Sequence, residues 1–206
     1  MNAKPITTLF LDIGGVLLTN GWGRAERQNA VDHFDLDAAE INERHHLTFD
    51  TYESGKLILD EYLDRVVFYE PRSFDRAEFQ VFMFAQSQAL EGTLEFFKKV
   101  KKQNKLRVVT INNKNRELNT YRIQQFQLSE LFDAFVSSSF VHLRKPDLDI
   151  FRMACDIAQA APQEVLYMDD RLMFVQVAST LGIHGHHYQG LENAKLHLKT
   201  LGFQIN

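Results

Sequence analysis

The chain has 206 residues, of which 45% are hydrophobic, and this supports one sizeable core or one domain with a smaller insertion. Its formal net charge of -4 excludes the basic surface typical of nucleic-acid-binding proteins. The single cysteine, Cys155, excludes an internal disulfide and fits a cytoplasmic protein. We also expect no secretory leader, because Lys4 precedes an apolar run that Asp12 interrupts and no small-residue cleavage site follows. We expect no membrane span, because the sequence contains no stretch of 18 apolar residues.

Short apolar runs that are typical of buried strands recur along the chain. The predicted strands are residues 6–12, 106–111, 134–137, 165–169 and 183–188. Between most of them lie helical patterns, which predict helices at residues 90–102, 147–159 and 172–181. Strands that alternate with helices predict an α/β fold, in which a parallel sheet is flanked by helices as in a Rossmann-like core.

The interval between the first two predicted strands is longer than a crossover needs. Residues 19–87 contain helical patterns and no convincing strand, whereas a crossover requires only about a dozen residues. The helices predicted in this interval are residues 29–34, 38–47, 57–68 and 76–84. We therefore predict a helical cap at residues 19–87, inserted after the first strand, and a discontinuous core made of residues 1–18 and 88–206. Gly21, Gly23 and the Gln86-Ser87 pair are the predicted hinges.

Polar clusters follow four of the predicted strands. They are Asp12-Ile13-Gly14-Gly15, Asn112-Asn113, Arg144-Lys145-Pro146-Asp147 and Asp169-Asp170. The carboxyl ends of parallel strands meet at one edge of a sheet, so we expect these side chains to lie close together. Carboxylates, amides and a lysine at one edge suit a phosphate group and a divalent cation.

In order and spacing, these clusters resemble the four motifs of the haloacid dehalogenase superfamily of hydrolases, in the subgroup with a helical cap between the first two motifs. The segment from Tyr52 to Lys56 resembles the cap of a branch with bacterial sugar phosphatases such as α-D-glucose-1-phosphate phosphatase. That branch also carries glycine at the position of Gly14. The resemblance covers nearly the whole chain and implies a Mg²⁺-dependent phosphatase that acts on a small phosphorylated metabolite. We expect a monomer or homodimer without nucleic-acid or membrane partners.

The resemblance also implies which residues attack the substrate and hold the metal. Asp12 would attack phosphorus and form an aspartyl-phosphate intermediate. Mg²⁺ would be bound by Asp12, by Asp169 and by the backbone carbonyl of Gly14. Asp170 would complete the metal site by orienting a metal-bound water.

The remaining matched residues would bind the phosphoryl group. Lys145 would neutralise the phosphoryl oxygens and steady the nucleophile. The Asn112 side chain would hold the transferring group together with nearby backbone N–H groups, and we include Asn113 in this phosphate-binding set.

Three positions depart from the family pattern and keep other functions open. Gly14 removes the usual general acid, a group that is typically worth about 10²–10⁴ in rate. Asn112 replaces the usual Ser or Thr, and Met173 stands where a second acid often follows. One alternative is a 2-haloacid dehalogenase, which needs neither a leaving-group acid nor a metal. A catalytically weak or non-catalytic phosphate-binding relative is the other. Asp169 and Asp170 favour phosphoryl transfer, because they would repel a haloacid carboxylate.

Two further features have more than one interpretation. His184, His186 and His187 form a cluster that invites a metal hypothesis, but a strand with half-exposed histidines is the interpretation we favour. Trp22 lies just past the first motif, together with Asn20. These side chains shape the substrate entrance, or Trp22 only packs the cap against the core.

Overall fold

The order of the strands places the first one at the centre of a parallel sheet. The computed structural model describes residues 5–205, so Lys4, on which the expectation of no leader partly rests, lies outside the described residues. The strands are β1 (Thr8–Leu11), β2 (Arg107–Asn112), β3 (Ala134–Ser137), β4 (Val165–Asp169) and β5 (His184–His187). They form one sheet in the order β3-β2-β1-β4-β5, with parallel pairing throughout. The predicted α/β class is confirmed, and each predicted strand is present.

A reversal in the direction of the chain across the sheet lies at the end of β1. From β1 the chain proceeds to β2 and β3 on one side, and it then returns to β4 and β5 on the other side. Open parallel sheets bind ligands at the carboxyl ends of their strands beside such a reversal. Asp12 directly follows β1 and Asp169 ends β4, so the topology brings two of the predicted clusters to neighbouring positions.

Of the five helices between β1 and β2, the first four form a group of their own. They are α1 (Arg24–Phe34), α2 (Ala38–Glu53), α3 (Leu59–Val66) and α4 (Arg76–Ala85). Their apolar side chains form a separate buried cluster that includes Tyr62 and Met83. The chain enters and leaves these helices through adjacent segments, since Thr19 N donates to Gln88 O at 2.8 Å and its hydroxyl donates to Gln86 O at 2.8 Å. The four helices predicted for this interval are therefore present, and their two connections lie side by side.

The remaining helices cover both faces of the sheet. They are α5 (Thr93–Asn104), α6 (Arg116–Gln125), α7 (Ser138–Val141), α8 (Leu148–Ala158), α9 (Leu172–Ser179) and α10 (Leu191–Thr200). Because successive side chains of a strand point to opposite faces, Leu9 and Leu11 join one buried cluster with Phe97 of α5. Phe10 joins another buried cluster with Phe151 of α8. Within residues 5–205, no helix has both the length and the apolar character that a bilayer span requires.

The turn that ends α2 packs tightly against the backbone of α7. Gly55 has a φ of +72°, and a Cβ at this position would lie 2.9 Å from the Ser139 Cα. We expect Gly55→Ala to lower the free energy of unfolding by about 2–5 kcal/mol, because left-handed strain adds to a clash with backbone. Urea denaturation followed by circular dichroism measures the loss.

Gly202→Ala is the matched control for this substitution. Gly202 has a similar φ of +82°, but no heavy atom lies within 4 Å of an added Cβ. We expect this substitution to cost only the left-handed strain, about 1–2 kcal/mol. Equal losses for the two substitutions would show that the contact between Gly55 and α7 does not constrain the turn.

Candidate active site

Two carboxylates and a lysine form a buried charged group at the ends of β1 and β4. Lys145, in the loop before α8, places its Nζ 2.6 Å from Asp169 Oδ2 and 3.1 Å from Asp12 Oδ1. Lys145 is 1% exposed and Asp169 is fully buried. Tyr167 of β4 also donates its hydroxyl to Asp169 Oδ2. The structure thus brings together three of the residues that the sequence predicted, in a region with little access to water.

Burial and the neighbouring charges shift the pKa values of these three groups in opposite directions. Burial raises the pKa of Asp12 to about 6, although Lys145 opposes the increase. Burial would also lower the pKa of Lys145, but the neighbouring carboxylates hold it above its ordinary value. For Asp169 burial favours a higher pKa, but Lys145 and the hydrogen bonds to the carboxylate hold the pKa below its ordinary value. At neutral pH the group therefore contains one ammonium and two carboxylates.

A third carboxylate lies beside the two that Lys145 contacts. One oxygen each from Asp12, Asp169 and Asp170 lies within 4.8 Å of the other two. Asp170 Oδ1 is buried and accepts no hydrogen bond from any residue in the range 5–205. Burial raises the pKa of Asp170, and the nearby Asp169 raises it further. Buried carboxylate oxygens that lack partners are the ligands that a hard divalent cation requires, so these residues fit Mg²⁺.

The glycine pair after β1 allows close approach of two polar side chains. Gly15 has a φ of +72°, and a Cβ there would overlap the Asp170 carboxylate. At Gly14 a Cβ would lie 2.9 Å from Asn20 Oδ1, so the Asn20 carboxamide occupies the space beside this glycine. A side chain at either position would therefore have to displace a polar group of the site.

The two asparagines after β2 differ in their contacts. Asn112 is buried, and its Nδ2 donates to Asn119 Oδ1 at 2.8 Å, which leaves its second N–H for a ligand. The Asn113 carboxamide instead accepts from Lys145 N at 2.9 Å and donates to Lys145 O at 2.8 Å. The Asn113 side chain is thus committed to the backbone of Lys145, and only its main chain remains for phosphate. Asn115 caps the N-terminus of α6, since its side chain accepts from Leu118 N at 3.1 Å.

A cavity of about 280 Å³ lies between the charged group and the first helices. His45, Phe49 and Glu53 line it from one face of α2, and Lys114 lines it from the loop after β2. Sequence reasoning did not single out these side chains as functional. The spacing of four residues from His45 to Phe49 to Glu53 was the available signal, because it places all three on one face of a helix. Lys114 directly follows the Asn112-Asn113 cluster at the end of a strand, but nothing local shows that its side chain is buried.

A chain of hydrogen bonds fixes the orientation of His45. Trp22 Nε1 donates to Tyr62 Oη at 2.9 Å, and Tyr62 Oη lies 2.8 Å from His45 Nδ1. Burial lowers the pKa of His45 to about 3, so the ring is neutral. The buried Tyr62 hydroxyl has no acceptor among residues 5–205 other than His45, so it donates to Nδ1 and the histidine proton resides on Nε2. Trp22 is buried in the apolar cluster of the first four helices and also lines the cavity.

Arg144 connects α2 to the loop that contains Lys145. Its guanidinium lies 2.6 Å from Glu53 Oε2 and also forms an ion pair with Asp50. Arg144 directly precedes Lys145, so this bridge joins one wall of the cavity to the lysine of the charged group. The position of α2 and the position of the Lys145 loop are therefore coupled.

The three histidines of β5 do not converge on one point. His184 Nε2 donates to Gln163 O at 3.1 Å, and His187 Nε2 donates to Asp170 O at 3.0 Å. His186 stacks on His197 with ring centroids 4.0 Å apart. The favoured interpretation, a partly exposed strand, agrees with the structure.

Met173, one of the positions that depart from the family pattern, is 54% exposed on α9.

Comparisons with known proteins show the family and the fold. The family model for a haloacid dehalogenase-like hydrolase matches residues 6–182. Among solved structures, a magnesium complex of a HAD family enzyme from Bacteroides thetaiotaomicron is 21% identical, with a TM-score of 0.78 over 94% of this chain and 99% of that chain. A HAD-like family hydrolase from Porphyromonas gingivalis is 22% identical, with a TM-score of 0.75 over 98% of this chain and all of the other. An L-2-haloacid dehalogenase is 17% identical, with a TM-score of 0.62 over 86% of this chain and 82% of that chain. No curated protein matches the chain.

Proposed function

The chain belongs to the haloacid dehalogenase-like hydrolases, and we propose that it is a Mg²⁺-dependent phosphatase acting on a small phosphorylated metabolite. The observation that carries this proposal is the set Asp12, Asp169 and Asp170, whose oxygens lie within 4.8 Å of one another. Asp12 and Asp169 contact Lys145, whereas the buried Asp170 Oδ1 has no hydrogen-bond partner among residues 5–205. Such a site favours a divalent cation and a phosphate dianion, whereas a haloacid carboxylate without a cation would be repelled.

Asp12 is the proposed nucleophile. Its carboxylate attacks phosphorus, the bond to the leaving oxygen breaks, and an aspartyl phosphate forms. Water then attacks the same phosphorus and regenerates the Asp12 carboxylate. The side chains of Asp12, Asp169 and Asp170 and the carbonyl of Gly14 would hold Mg²⁺. When bound, this ion supplies the positive charge that offsets repulsion between a carboxylate and a phosphate dianion.

Lys145, Asn112 and Asn113 would bind the transferring phosphoryl group. The Lys145 ammonium neutralises phosphoryl oxygens, and its backbone is clamped by both carboxamide hydrogen bonds of Asn113. The second N–H of Asn112 and the backbone N–H of Asn113 act as neutral donors to the same oxygens. Because the clamp fixes Lys145 before substrate binds, little reorganisation is needed during the reaction.

We propose a sugar phosphate as the substrate class, on the basis of the cavity wall. His45 presents a neutral N–H donor on Nε2, and Glu53 presents a carboxylate acceptor from the same face of α2. Paired donors and acceptors of this kind recognise hydroxyl groups. Arg27 also lines this wall, and its guanidinium donates to Asn42 Oδ1 and Trp22 O, which leaves further N–H groups for a ligand.

In this proposal residues 19–87 act as a cap over a core made of residues 1–18 and 88–206. Gly21, Gly23 and the Gln86-Ser87 pair would serve as hinges, and the bridge from Arg144 to Glu53 would hold the closed state. We place the enzyme in the cytoplasm as a monomer or homodimer.

A panel of phosphorylated metabolites, assayed for phosphate release with Mg²⁺ and again with EDTA, tests the proposal. We expect EDTA to lower hydrolysis of the best substrate by about 10²-fold or more, and Mg²⁺ to restore it, because charge stabilisation by a bound metal is worth several kcal/mol. Halide release from a 2-haloacid that survives EDTA would instead favour the dehalogenase, which Gly14 and the dehalogenase neighbour keep as the second candidate. Phosphate binding without turnover would favour the non-catalytic relative.

A further inference from the structure

Lys114 is a buried cation to which the mechanism above assigns no step. It is 8% exposed and lines the same cavity as Asp12 and Gly14. Its Nζ donates to Asn20 O at 2.9 Å, and no carboxylate of residues 5–205 forms an ion pair with it. An ammonium that is buried without a carboxylate is costly to the fold, so its retention in the cavity requires an explanation.

Asn20 places this ammonium on the side of the cavity next to Gly14. The Asn20 carbonyl holds Lys114 Nζ, while the Asn20 carboxamide lies 2.9 Å from the Cβ position that Gly14 lacks. Gly14 offers no side chain that could exchange a proton. Lys114 is therefore the ionisable side chain fixed by the residue that covers Gly14.

Cleavage of an alkyl phosphate expels an alkoxide, which must take up a proton. The other charged groups of the cavity are committed elsewhere. Lys145 contacts both Asp12 and Asp169, and the Glu53 carboxylate is paired with Arg144. Guanidinium groups do not release protons in proteins.

His45 and Asp170 also fail to supply the proton. Burial lowers the pKa of His45 to about 3, so this ring is already neutral at the pH of the cell. Asp170 belongs to the three-carboxylate set that would bind Mg²⁺ and is ionised when it does so. Lys114 is the group that remains.

The surroundings of Lys114 favour transfer of its proton near neutral pH. Burial, with a smaller contribution from Arg122 of α6, lowers the pKa of Lys114 to about 8. Glu53 of α2, Asp12 after β1 and Glu26 of α1 act in the opposite direction. General acids are most effective when their pKa lies near the working pH.

We propose that Lys114 is the catalytic acid and base of this site, an inference that rests on the phosphatase function proposed above. When Asp12 attacks, the bond from phosphorus to the leaving oxygen breaks. The leaving oxygen keeps the electron pair of that bond and accepts a proton from the Lys114 ammonium. In the second step the neutral Lys114 amine takes a proton from the water that attacks the aspartyl phosphate. The bond to Asp12 breaks, inorganic phosphate is released, and the ammonium is restored.

Leaving groups of different basicity test this role. The Mg²⁺-loaded wild type and Lys114→Met are compared on glycerol 2-phosphate, which expels an alkoxide, and on p-nitrophenyl phosphate, which expels a stable phenolate. We expect kcat/KM to fall by about 10²–10⁴ on glycerol 2-phosphate and by less than about 10-fold on p-nitrophenyl phosphate. Lys102→Met, on the exposed surface of α5, is the matched control.

Equal losses on both substrates, or no loss on either, would overturn the proton-transfer role of Lys114 and leave the phosphatase function standing. A wild type that releases phosphate from no phosphomonoester would instead overturn the phosphatase function, and this inference with it. The two failures are therefore distinguishable by the wild type alone.

Two further measurements apply even where Lys114→Met does not fold. Lys114→Arg keeps the positive charge but cannot release a proton, so we expect it to lose activity on glycerol 2-phosphate as Lys114→Met does. In the wild type, kcat/KM on glycerol 2-phosphate falls as the pH rises above about 8, because the acid form of Lys114 is lost. That decrease is absent on p-nitrophenyl phosphate. Rescue by arginine, or the same alkaline decrease on both substrates, contradicts the proposal.

Discussion

Asp12→Asn is expected to lower phosphatase kcat/KM by about 10⁴–10⁶-fold, because it replaces the proposed nucleophile with a neutral amide. Asp12 follows β1 and lies 3.1 Å from Lys145 Nζ, and the substitution nearly preserves its shape. The loss should therefore appear in kcat rather than in the fold. Steady-state hydrolysis of the best substrate from the metabolite panel measures the loss, and quenched mass spectrometry checks that no phosphorylated protein accumulates.

Asp156→Asn provides the control for this experiment. Asp156 is an exposed residue of α8 outside the cavity, so the same chemical change there should leave activity within about 2-fold. Residual activity of Asp12→Asn above one percent of wild type would contradict a covalent role for Asp12. In that case the aspartate would act only as a metal ligand.

Lys145→Met is expected to lower the free energy of unfolding by about 3–5 kcal/mol in EDTA, because it leaves two buried carboxylates without their cation. Lys145 is 1% exposed, and its Nζ lies 2.6 Å from Asp169 and 3.1 Å from Asp12. Mg²⁺ should recover part of this stability, since the metal supplies positive charge to the same carboxylates. Activity with Mg²⁺ should fall by about 10²–10³-fold or more, because phosphoryl oxygens lose their ammonium partner.

Urea denaturation with and without Mg²⁺ measures the stability of Lys145→Met. Lys102→Met on the exposed face of α5 is the control, and we expect its free energy of unfolding to lie within about 0.5 kcal/mol of wild type. An unchanged unfolding midpoint for Lys145→Met would mean that Lys145 does not neutralise Asp12 and Asp169 in the folded protein.

Local sequence patterns predicted the framework of the fold. Strands β1 to β4 are short runs rich in apolar residues, and such runs are visible without knowledge of their neighbours, whereas β5 contains three histidines and a glycine between Ile183 and Tyr188. The helix α2 extends to Glu53, beyond the predicted end at residue 47. Its last turn is supported by contacts with distant residues, since Ser138 donates to Glu53 O at 2.6 Å and Arg144 pairs with Glu53. A local sequence pattern cannot predict these contacts, because their partners are distant in the chain.

Some features of the site could likewise be predicted from the sequence, and others could not. Asp12, Lys145 and Asp169 were predictable because polar residues at the ends of parallel strands converge on one edge of the sheet. The hydrogen bonds of the Asn113 side chain were not predictable, because their partner is the backbone of Lys145, 32 positions away. The same limit applies to His45, whose tautomer depends on Tyr62.

The sequence by itself determined the α/β class, the order of the polar clusters and the absence of a side chain at Gly14. These follow from local periodicity and from residue identity. Only the tertiary structure decided that Asn20 fills the space beside Gly14 and holds Lys114 against the cavity at 2.9 Å. Burial and the field of surrounding charges set the chemistry of Lys114, and both arise from residues that are distant in the chain and adjacent only after folding.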